Sequence, residues 1–558
     1  MIRNLPTEVL QIIGSYLSFR EHIQLVLVNR QFYQSYVKFV FQSVKISAKD
    51  ELHQFMDQTK KHRHVRHLSI FVSQIDSGEM ERLAQLFPRL SSVRLRAYTC
   101  DKSTLSSCQS FRNLHSLTLL SLPEQMNPLT DLFLPRQLKN LTIYVAGRCD
   151  LGSDLLECIH SACPFLDSLS VKCREPSEVI IRQQMQTVNV LRQLELTFSS
   201  NSGPGDLSKW FSYFGRCYPN LQALYLLNEI KTNDWNLINA QDEHDYVVPC
   251  RQFLSGCPLL TYIEFKNISL NQVCYRQLKE KKSICLANIF SSHGSAENFL
   301  QECGMYLVNF SAIRKLEFYY AASFKNPLQT IASACPNLTQ LVLRNYRWGE
   351  PRDANIDTIL KRFRYLERLD LIMVIVTIER NDLEGLNRRS YPLQAISIKN
   401  CMLSQAILDY ISTHCIELKH LHLDGTTFKH SPYYGRINLK QQRLASVNIK
   451  NFRILKTDEL IQFFRIQSQT HSEWYCIDMD QKQDKTIRLD KRDAQYLDTV
   501  FRRVHSTRRD LLIATYEPTS DLADKMQLSK VLSVGYLEII CHSIGALHIN
   551  NKYVYFKQ

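Results

Sequence analysis

The chain has 558 residues, far more than one ordinary hydrophobic core contains, so we expect several domains or a repeat array. Its 16 glycines are about 3% of the residues against a typical ~7%, and no Walker A, Rossmann or nucleophile-elbow motif is present, which argues against nucleotide-driven chemistry. Lys and Arg number 68 and Asp and Glu 54, a net charge of +14; over this length, the excess does not by itself indicate nucleic acid.

No run of about 18 uncharged apolar residues occurs, so no membrane span is expected. The first residues lack the apolar run and cleavage site of a signal peptide. The 17 cysteines contain no Cys-x-x-Cys pair, so we expect reduced thiols used as small buried side chains. These features predict a protein of the cytosol or the nucleus, without a bound cofactor or metal.

Three short helices are predicted within residues 2–46. Leu5-Pro6-Thr7-Glu8 opens the first helix, because proline suits the first helical position and an acidic residue suits the positive end of the helix dipole. Apolar residues then recur at helical spacing, first at 9–17 and again at 23–28 and 32–40. Such short helices carry more apolar surface than they can bury among themselves.

This N-terminal stretch resembles an F-box. The resemblance is carried by the segments Leu5-Pro6-Thr7-Glu8, Tyr16-Leu17 and Val28-Asn29-Arg30-Gln31-Phe32-Tyr33. His22 departs from the family, which usually has an acidic residue there, and Tyr33 stands where tryptophan is common. The resemblance implies docking on the Skp adaptor of a cullin-based ubiquitin ligase, and the implied adaptor-binding residues are Leu5, Pro6, Val9, Ile12, Leu17, Val28 and Tyr33. Alternatively, these helices only cap the repeats that follow.

Residues 47–64 are interpreted as a linker helix, and from residue 65 to about 480 one pattern recurs. Apolar-x-x-apolar-x-apolar occurs fifteen times, from Val65-Leu68-Ile70 to a degenerate Trp474-Ile477-Met479, and twelve of the fourteen spacings are 24 to 30 residues. The last two apolar positions alternate across a short strand and point into the core, and the intervening residues return as a helix. No unit buries its own apolar face, so neighbouring units must stack.

The repeats resemble the cysteine-containing leucine-rich-repeat family, with a Cys-Pro lead-in at residues 163, 257 and 335. The fold class expected is therefore α/β: a leucine-rich-repeat solenoid forming a curved horseshoe of about 14–15 strand–helix repeats, preceded by the all-helical F-box. The Asn or Cys that the family usually has three residues after the third apolar position is clear only at Cys401. Long spacings predict insertions near 233–250 and 267–312, and residues 481–558 are interpreted as a C-terminal cap with a helix near 488–503 and a hairpin at 546–556.

Residues flanking the two inward strand positions are expected to face the open concave surface. This face has nine basic and seven acidic residues, a mixture that favours a protein partner over nucleic acid. The candidates for contacting a target are Tyr225, Tyr262, Tyr319, Arg344, Arg368, Lys399, His420 and His422. Arg344 and Arg368 are a candidate pair for a phosphorylated partner. His420, His422 and Asp424 have a spacing that can ligate metal, but strand alternation alone often creates it.

No arrangement of nucleophile, base or paired carboxylates stands out, so we expect a protein that is not itself an enzyme. The favoured function is the substrate-recognition subunit of a Skp–cullin–F-box ubiquitin ligase, with an unidentified protein as the target. The alternative is a repeat scaffold outside the ubiquitin system, in an RNA-associated or nuclear assembly; the basic stretch 436–465 is the feature that suits it.

Overall fold

The structure is a computed structural model in which the chain forms two compact units, residues 1–287 and 288–558. Each unit is described by itself. The residues that the structure describes are 7–15, 17, 19–57, 64–72, 74–96, 102–122, 133–145, 150–176, 179–182, 185–199, 207–229, 243–266, 277–278, 285–289, 313–320, 327–345, 353–378, 390–428, 434–454, 463–467, 472–478, 485–506, 536–549 and 552–554.

The first unit begins with three helices, which we call the N-terminal helical module: α1 (Thr7–Ser15), α2 (Phe19–Val26) and α3 (Arg30–Val40). Their shared core is built on Leu10, Phe32 and Tyr36. Asn29 caps α3, since its side-chain oxygen accepts the Phe32 N–H at 2.9 Å. The three helices predicted within residues 2–46 are therefore present.

A ten-stranded sheet follows in the order β1-β2-β3-β4-β5-β7-β9-β10-β11-β12. In chain order the strands of this unit are β1 (Ser43–Ile46), β2 (His67–Ile70), β3 (Ser92–Arg96), β4 (Ser116–Leu122), β5 (Asn140–Val145), β6 (Asp150–Leu151), β7 (Ser168–Cys173), β8 (Glu175–Pro176), β9 (Gln193–Phe198), β10 (Ala223–Asn228), β11 (Tyr262–Lys266) and β12 (Cys285–Ile289). The pairs from β1 to β11 are parallel, and β6 pairs with β8 separately.

One backbone carbonyl in each repeat fixes the register of the next strand. Arg66 O accepts the N–H groups of Ser91 (2.9 Å) and Ser92 (3.0 Å). The same arrangement recurs at each step along the sheet as far as Gln222 O, which accepts from Thr261 and Tyr262. We call these the double-acceptor carbonyls. They place the inward apolar residues of successive repeats in line, as in Leu68 beside Val93.

The helices of the first unit are α4 (Lys49–Asp57), α5 (Ser77–Leu86), α6 (Lys102–Ser106), a 3-10 helix (Ser107–Ser110), α7 (Ser153–Ala162), α8 (Leu207–Cys217) and α9 (Glu243–Gly256). The cysteine that follows α7 is buried, and its Sγ lies 3.6 Å from the carbonyl of Pro135 in the preceding repeat. Cys257 has the same relation to Phe214. Helices α8 and α9 meet at Gly215 and Gly256, where no room remains for a side chain.

The second unit contains an eleven-stranded sheet and a five-stranded parallel sheet. Its strands are β13 (Lys315–Tyr320), β14 (Gln340–Asn345), β15 (Asp353–Asn355), β16 (Arg368–Ile372), β17 (Ile375–Thr377), β18 (Ala395–Lys399), β19 (Met402–Leu403), β20 (His420–Asp424), β21 (Thr427–Phe428), β22 (Tyr434–Lys450), β23 (Arg453–Ile454), β24 (Phe463–Gln467), β25 (Ser472–Asp478), β26 (Lys485–Arg488), β27 (Tyr536–Ile549) and β28 (Lys552–Val554). Its helices are α10 (Pro327–Ala334), α11 (Ile356–Arg362), α12 (Gln405–His414) and α13 (Lys491–Ser506).

The two sheets of the second unit are joined by residues with positive φ. Met373, Asn400, Gly425 and Asn451 each follow a strand of the larger sheet and have φ between 48° and 60°. The chain then enters a short strand of the five-stranded sheet, β17, β19, β21 or β23. This left-handed residue is a repeating feature of the second unit.

The C-terminal part of the second unit departs from the repeat pattern. The larger sheet runs β13-β14-β16-β18-β20-β22-β27-β24-β25-β26, so β27 lies between β22 and β24. The degenerate fifteenth match, Trp474-Ile477-Met479, gives β25, which pairs antiparallel with β24 and not parallel as a repeat strand would. The expected helix and hairpin are present as α13 and as the antiparallel pair of β27 with β28.

The first fourteen pattern matches each give a strand that pairs in parallel with the strand of a neighbouring repeat, so the predicted α/β repeat architecture is confirmed. Of the twelve cysteines whose side chains the structure describes, ten are buried, as expected, and all twelve are free thiols. Within the described ranges, no helix is long and apolar enough to cross a membrane. The horseshoe shape, the repeat count and the domain boundaries stay predictions.

Candidate partner-binding surfaces

His22 holds the N-terminal helical module together from inside. Its side chain is buried, its Nε2 donates to Gly14 O at 2.8 Å, and its ring stacks on Phe39 with centroids 4.8 Å apart. At Gly14, an added Cβ would lie 2.7 Å from the ring of Tyr36, so α1 and α3 are in close contact. His22, which lies on α2, therefore links α1, α2 and α3.

The same module leaves large apolar side chains in water. Seven of the fifteen exposed large hydrophobic residues described belong to it, and we call them the N-terminal apolar patch: Val9, Ile12, Ile13, Ile23, Leu27, Val28 and Tyr33. Leu27 is 80% exposed, Ile12 62% and Val28 61%. None of the seven belongs to the core cluster built on Leu10, Phe32 and Tyr36, and an exposed apolar patch of this kind is typical of an interaction surface.

Four of the predicted adaptor-binding residues, Val9, Ile12, Val28 and Tyr33, belong to the N-terminal apolar patch. Leu17 is half-buried and packs against the core. Leu5 and Pro6 lie outside the described residues. The patch also contains Ile13, Ile23 and Leu27, which the resemblance did not select.

Tyr225 and Tyr262 lie next to each other on the outward face of the first unit's sheet, with ring centroids 5.1 Å apart. The Tyr262 hydroxyl donates to Glu264 at 2.8 Å. In the register of the sheet, Tyr225 stands between Glu195 and Glu264. Burial, and then these two carboxylates, raise the pKa of Tyr225, so its hydroxyl keeps its proton and remains a donor.

Lys172 and Glu229 form an ion pair on the same sheet. The Lys172 ammonium lies 2.5 Å from Glu229, and the Ser199 hydroxyl donates to the same carboxylate at 2.8 Å. Burial raises the pKa of Glu229, but the hydrogen bonds from Lys172 and Ser199 outweigh it and lower the pKa overall. Lys172 also lies over the Tyr144 ring at 5.4 Å.

Arg344 and Arg368, the candidates for a phosphorylated partner, each have an acidic neighbour on their own sheet. Arg344 is paired with Glu317, and Arg368 Nε lies 3.1 Å from Asp370. They also stand at different heights along their strands, since Arg344 pairs with Ile372 and Arg368 pairs with Gln340 in the register of the sheet. Four positions along a strand are about 13 Å, so these two guanidinium groups are not arranged around one phosphate.

The two histidines on β20 form polar contacts along the sheet. His420 Nδ1 lies 2.8 Å from the Ser446 hydroxyl, and His422 Nε2 lies 4.0 Å from Asp424. Burial, followed by the positive charge of Lys399, lowers the pKa of His422. Across the described residues, no group of three metal-ligating side chains is arranged to hold an ion, so the metal interpretation gains no support.

The predicted target-contacting residues fall on two sheets. Tyr225 and Tyr262 are neighbours on the first unit's sheet. Arg344, Arg368, Lys399, His420 and His422 lie on β14, β16, β18 and β20 of the second unit, and Tyr319 contributes backbone pairing to β13, its side chain being outside the described part. Their role in binding a target stays a prediction.

No protein-family profile and no curated protein matches the chain. Among solved structures it is similar to a chain of the mouse RP105/MD-1 complex, at 16% identity over 70% of this chain and 72% of that chain, with a TM-score of 0.39. It is also similar to a chain of the yeast Rad7 and Elc1 complex, at 12% identity over 68% of this chain and 90% of that chain, with a TM-score of 0.34. Likenesses this distant assign neither a family nor a function.

Proposed function

We propose that this chain is the substrate-recognition subunit of a Skp–cullin–F-box ubiquitin ligase in the cytosol or the nucleus. The N-terminal helical module docks on the Skp adaptor, and through it on a cullin. The outward faces of the repeat sheets bind a target protein, which the ligase then marks for degradation. In this arrangement the chain positions the target and other subunits carry out the ubiquitin chemistry.

The observation that carries the proposal is the N-terminal apolar patch. Burying one such side chain contributes about 1.5–3 kcal/mol, so Ile12, Leu27 and Val28 together supply the hydrophobic centre of an ordinary protein interface. A solenoid cap would bury these residues against the chain itself, yet they are 62%, 80% and 61% exposed. The F-box resemblance of the same segment names the Skp adaptor as the partner.

The outward strand faces support the second half of the proposal. Tyrosines stand beside charged residues there, as in Tyr225 next to Glu195 and Glu264, and such mixtures are typical of protein-recognition surfaces. Glu195 and Glu264 interrupt the positive charge along the first unit's sheet, which suits a protein target better than RNA.

The test is co-purification of the full chain with the Skp adaptor. Ile12→Asp with Val28→Asp places two charges in the patch, and we expect binding at least about tenfold weaker than for the wild type. The matched control is Phe165→Asp with Tyr365→Asp, since these residues are 63% and 61% exposed and lie on the repeats. Thermal unfolding of both variants checks that they remain folded.

Two results would contradict the proposal. If the wild type does not bind the adaptor, the ligase function is wrong, and a scaffold outside the ubiquitin system becomes the better reading. If the control variant loses as much binding as the patch variant, the N-terminal apolar patch is not the docking surface.

A further inference from the structure

The outward face of the first six strands in the first unit's sheet differs in charge from the rest of that sheet. On β1, β2, β3, β4, β5 and β7 the outward positions, which alternate with the buried ones, contain neither Asp nor Glu. They are Ser43, Lys45, His67, Ser69, Ser92, Arg94, Arg96, Ser116, Thr118, Leu120, Asn140, Thr142, Tyr144, Ser168, Ser170 and Lys172. Acidic residues reach the outward positions only on later strands, at Glu195 and Glu264.

Four residues at the start of this face form what we call the basic strand patch: Lys45, Phe71, Arg94 and Arg96. Lys45 and Arg94 stand in one row with Ser69 between them. The Lys45 ammonium lies 5.1 Å from the centroid of the Phe71 ring, and the Arg94 guanidinium carbon lies 5.7 Å from it. The ring holds both cations on the surface by cation–π contact.

Several cations elsewhere on the strand faces are neutralised by acidic neighbours, unlike Lys45 and Arg94. Lys172, Arg344, Arg368 and Arg436 each have a carboxylate within ion-pair distance. Lys45 and Arg94 are exposed, and neither forms an ion pair with any residue in the described ranges. Their charges are therefore available to an anion.

The surroundings add to the positive potential. Arg66 stands directly before β2. Burial lowers the pKa of Lys38 on α3, and the nearby charge of Arg66 lowers it further. Like charges in one region concentrate the field there and attract anions.

The geometry points to an extended anionic partner. Lys45 and Arg94 stand two strands apart, about 10 Å at the backbone, and the distance from β1 to β5 is about 19 Å. An extended peptide of about six residues covers that distance. Along it the sheet offers neutral hydrogen-bonding side chains after the cations, at Ser116, Thr118 and Thr142.

We propose that the basic strand patch binds an extended segment of a partner protein that is rich in Asp and Glu, with its carboxylates against Lys45, Arg94 and Arg96. A nucleic acid strand carries a charge at every nucleotide and, continuing along the same sheet, would meet Glu195 and Glu264. A short acidic segment ends before them. This inference rests on the proposed function in one respect: the partner would be the ligase's target.

The test is fluorescence anisotropy with the full chain and a labelled peptide of about 12 residues in which Glu alternates with Ser, long enough to span the patch. A Gln-for-Glu peptide is the matched probe. The patch variant is Lys45→Glu with Arg94→Glu. The control variant is Arg89→Glu with Arg112→Glu, which changes the net charge equally at two exposed arginines that precede β3 and β4.

We expect the Glu peptide to bind the wild type at least about tenfold more tightly than the Gln peptide, and the patch variant to lose that difference. The control variant should change the affinity by less than about twofold, because its charges lie off the strand face. If the patch variant unfolds, the single substitution Arg94→Gln should still weaken binding by about threefold or more.

Three outcomes would overturn the inference. One is that the Glu peptide does not bind the wild type. Another is an equal loss in the patch and control variants, which would show attraction by net charge alone. The third is tighter binding of a single-stranded oligonucleotide of about 12 bases, lost in the patch variant, which would make nucleic acid the occupant.

Adaptor co-purification is measured on the same variants. Loss of peptide binding with adaptor binding intact is the result expected for the patch variant. Failure of the wild type to bind the adaptor, with peptide binding intact, would contradict the ligase function and leave the acidic-segment inference standing.

Discussion

His160 shows how a buried histidine makes the stability of this protein depend on pH. It lies on α7 and is 3% exposed, with Nε2 3.0 Å from the Tyr218 hydroxyl. Its ring meets the Tyr218 ring edge-on at 5.4 Å. Burial lowers the pKa of His160 to about 4, because a charged imidazole would lose its hydration there.

The first prediction concerns this histidine. Unfolded histidine has a pKa of about 6.5, so between about pH 6.5 and pH 4 the unfolded chain binds a proton that the folded chain does not. The contribution of the neutral His160 to the free energy of unfolding is fully present above pH 6.5 and is lost as the pH falls. The loss is about 2 kcal/mol at pH 5. His160→Gln cannot titrate and should remove this share of the pH dependence in urea unfolding. If the free energy of unfolding of the variant still differs between pH 7.5 and pH 5 by as much as that of the wild type, the prediction is contradicted.

The second prediction concerns His22. Its Nε2 donates to Gly14 O inside the N-terminal helical module. His22→Asp restores the acidic residue usual in the resembled family, but a buried carboxylate cannot donate to a carbonyl, so we expect the module to lose about 1–3 kcal/mol. His22→Gln keeps an N–H donor and should lose less. Hydrogen exchange of α1 and α3 measures this; equal protection in both variants would show that the hydrogen bond is unimportant.

At the scale of elements, α8 and α9 contact each other through their backbones. A Cβ on Gly256 would lie 2.0 Å from Gly215 O, and one on Gly215 would lie 2.5 Å from Gln252 O. Neither carbonyl can move without shifting its helix. The two glycines therefore set the separation of this helix pair.

The third prediction follows from that contact. Gly256→Ala should lower the free energy of unfolding by about 1–3 kcal/mol, because the helices must move apart. Gly78→Ala is the control. This glycine is exposed in α5, and a Cβ there would lie 3.4 Å from Asp76 Oδ1, an ordinary contact distance, so alanine should stabilise the protein by about 0.5–1 kcal/mol. Thermal unfolding of both variants gives the answer; destabilisation of the same size in both would contradict it.

The sequence was sufficient to predict the strands of the repeats. Each of these strands buries two side chains that are two residues apart, such as Leu68 and Ile70, and this spacing recurs in every repeat. The five-stranded sheet was missed. Its strands have two or three residues, too few for a period, and the left-handed residue that leads into them is sometimes Met373 and sometimes Asn400 or Gly425. No single residue type marks that position.

The charges of the candidate surfaces were less predictable than their positions. Alternation along a strand places Arg344 and Lys172 on the outward face, as expected. Their partners come from other repeats: Glu229 is 57 residues from Lys172, and Glu317 is 27 residues from Arg344. Those distances depend on the lengths of the intervening segments, so a count of charges along the sequence cannot show which ones are neutralised.

At the scale of the whole molecule, the end of the chain completes the sheet of the second unit. Strand β24 pairs with β25 and with β27, and β27 pairs with β22. Among the strands that the structure describes, β27 is the one that joins β24, β25 and β26 to the repeat strands of that sheet.

The fourth prediction is that deleting residues 531–558 removes β27 and β28 and releases β24–β26 from the sheet. Trypsin should then cut at Arg465 and Arg488, which lie on β24 and β26. The reason is that β24 loses its parallel partner β27, and β25 and β26, which are joined to the sheet through β24, leave the sheet with it. Deleting only residues 555–558 leaves β27 and β28 in place and is the control. The cut sites are identified by mass spectrometry. If both truncated chains resist trypsin equally, the proposed role of β27 is contradicted.

The double-acceptor carbonyls make the register of a strand independent of the length of the segment before it. Thr261, like Ser91, binds the preceding strand start through both its N–H and its hydroxyl, although it is 39 residues from its acceptor and Ser91 is 25 residues from its own. Insertions acquired during evolution can therefore lengthen a connection while the next strand keeps its alignment. New recognition loops can arise in descendants of this gene without redesign of the scaffold that carries them.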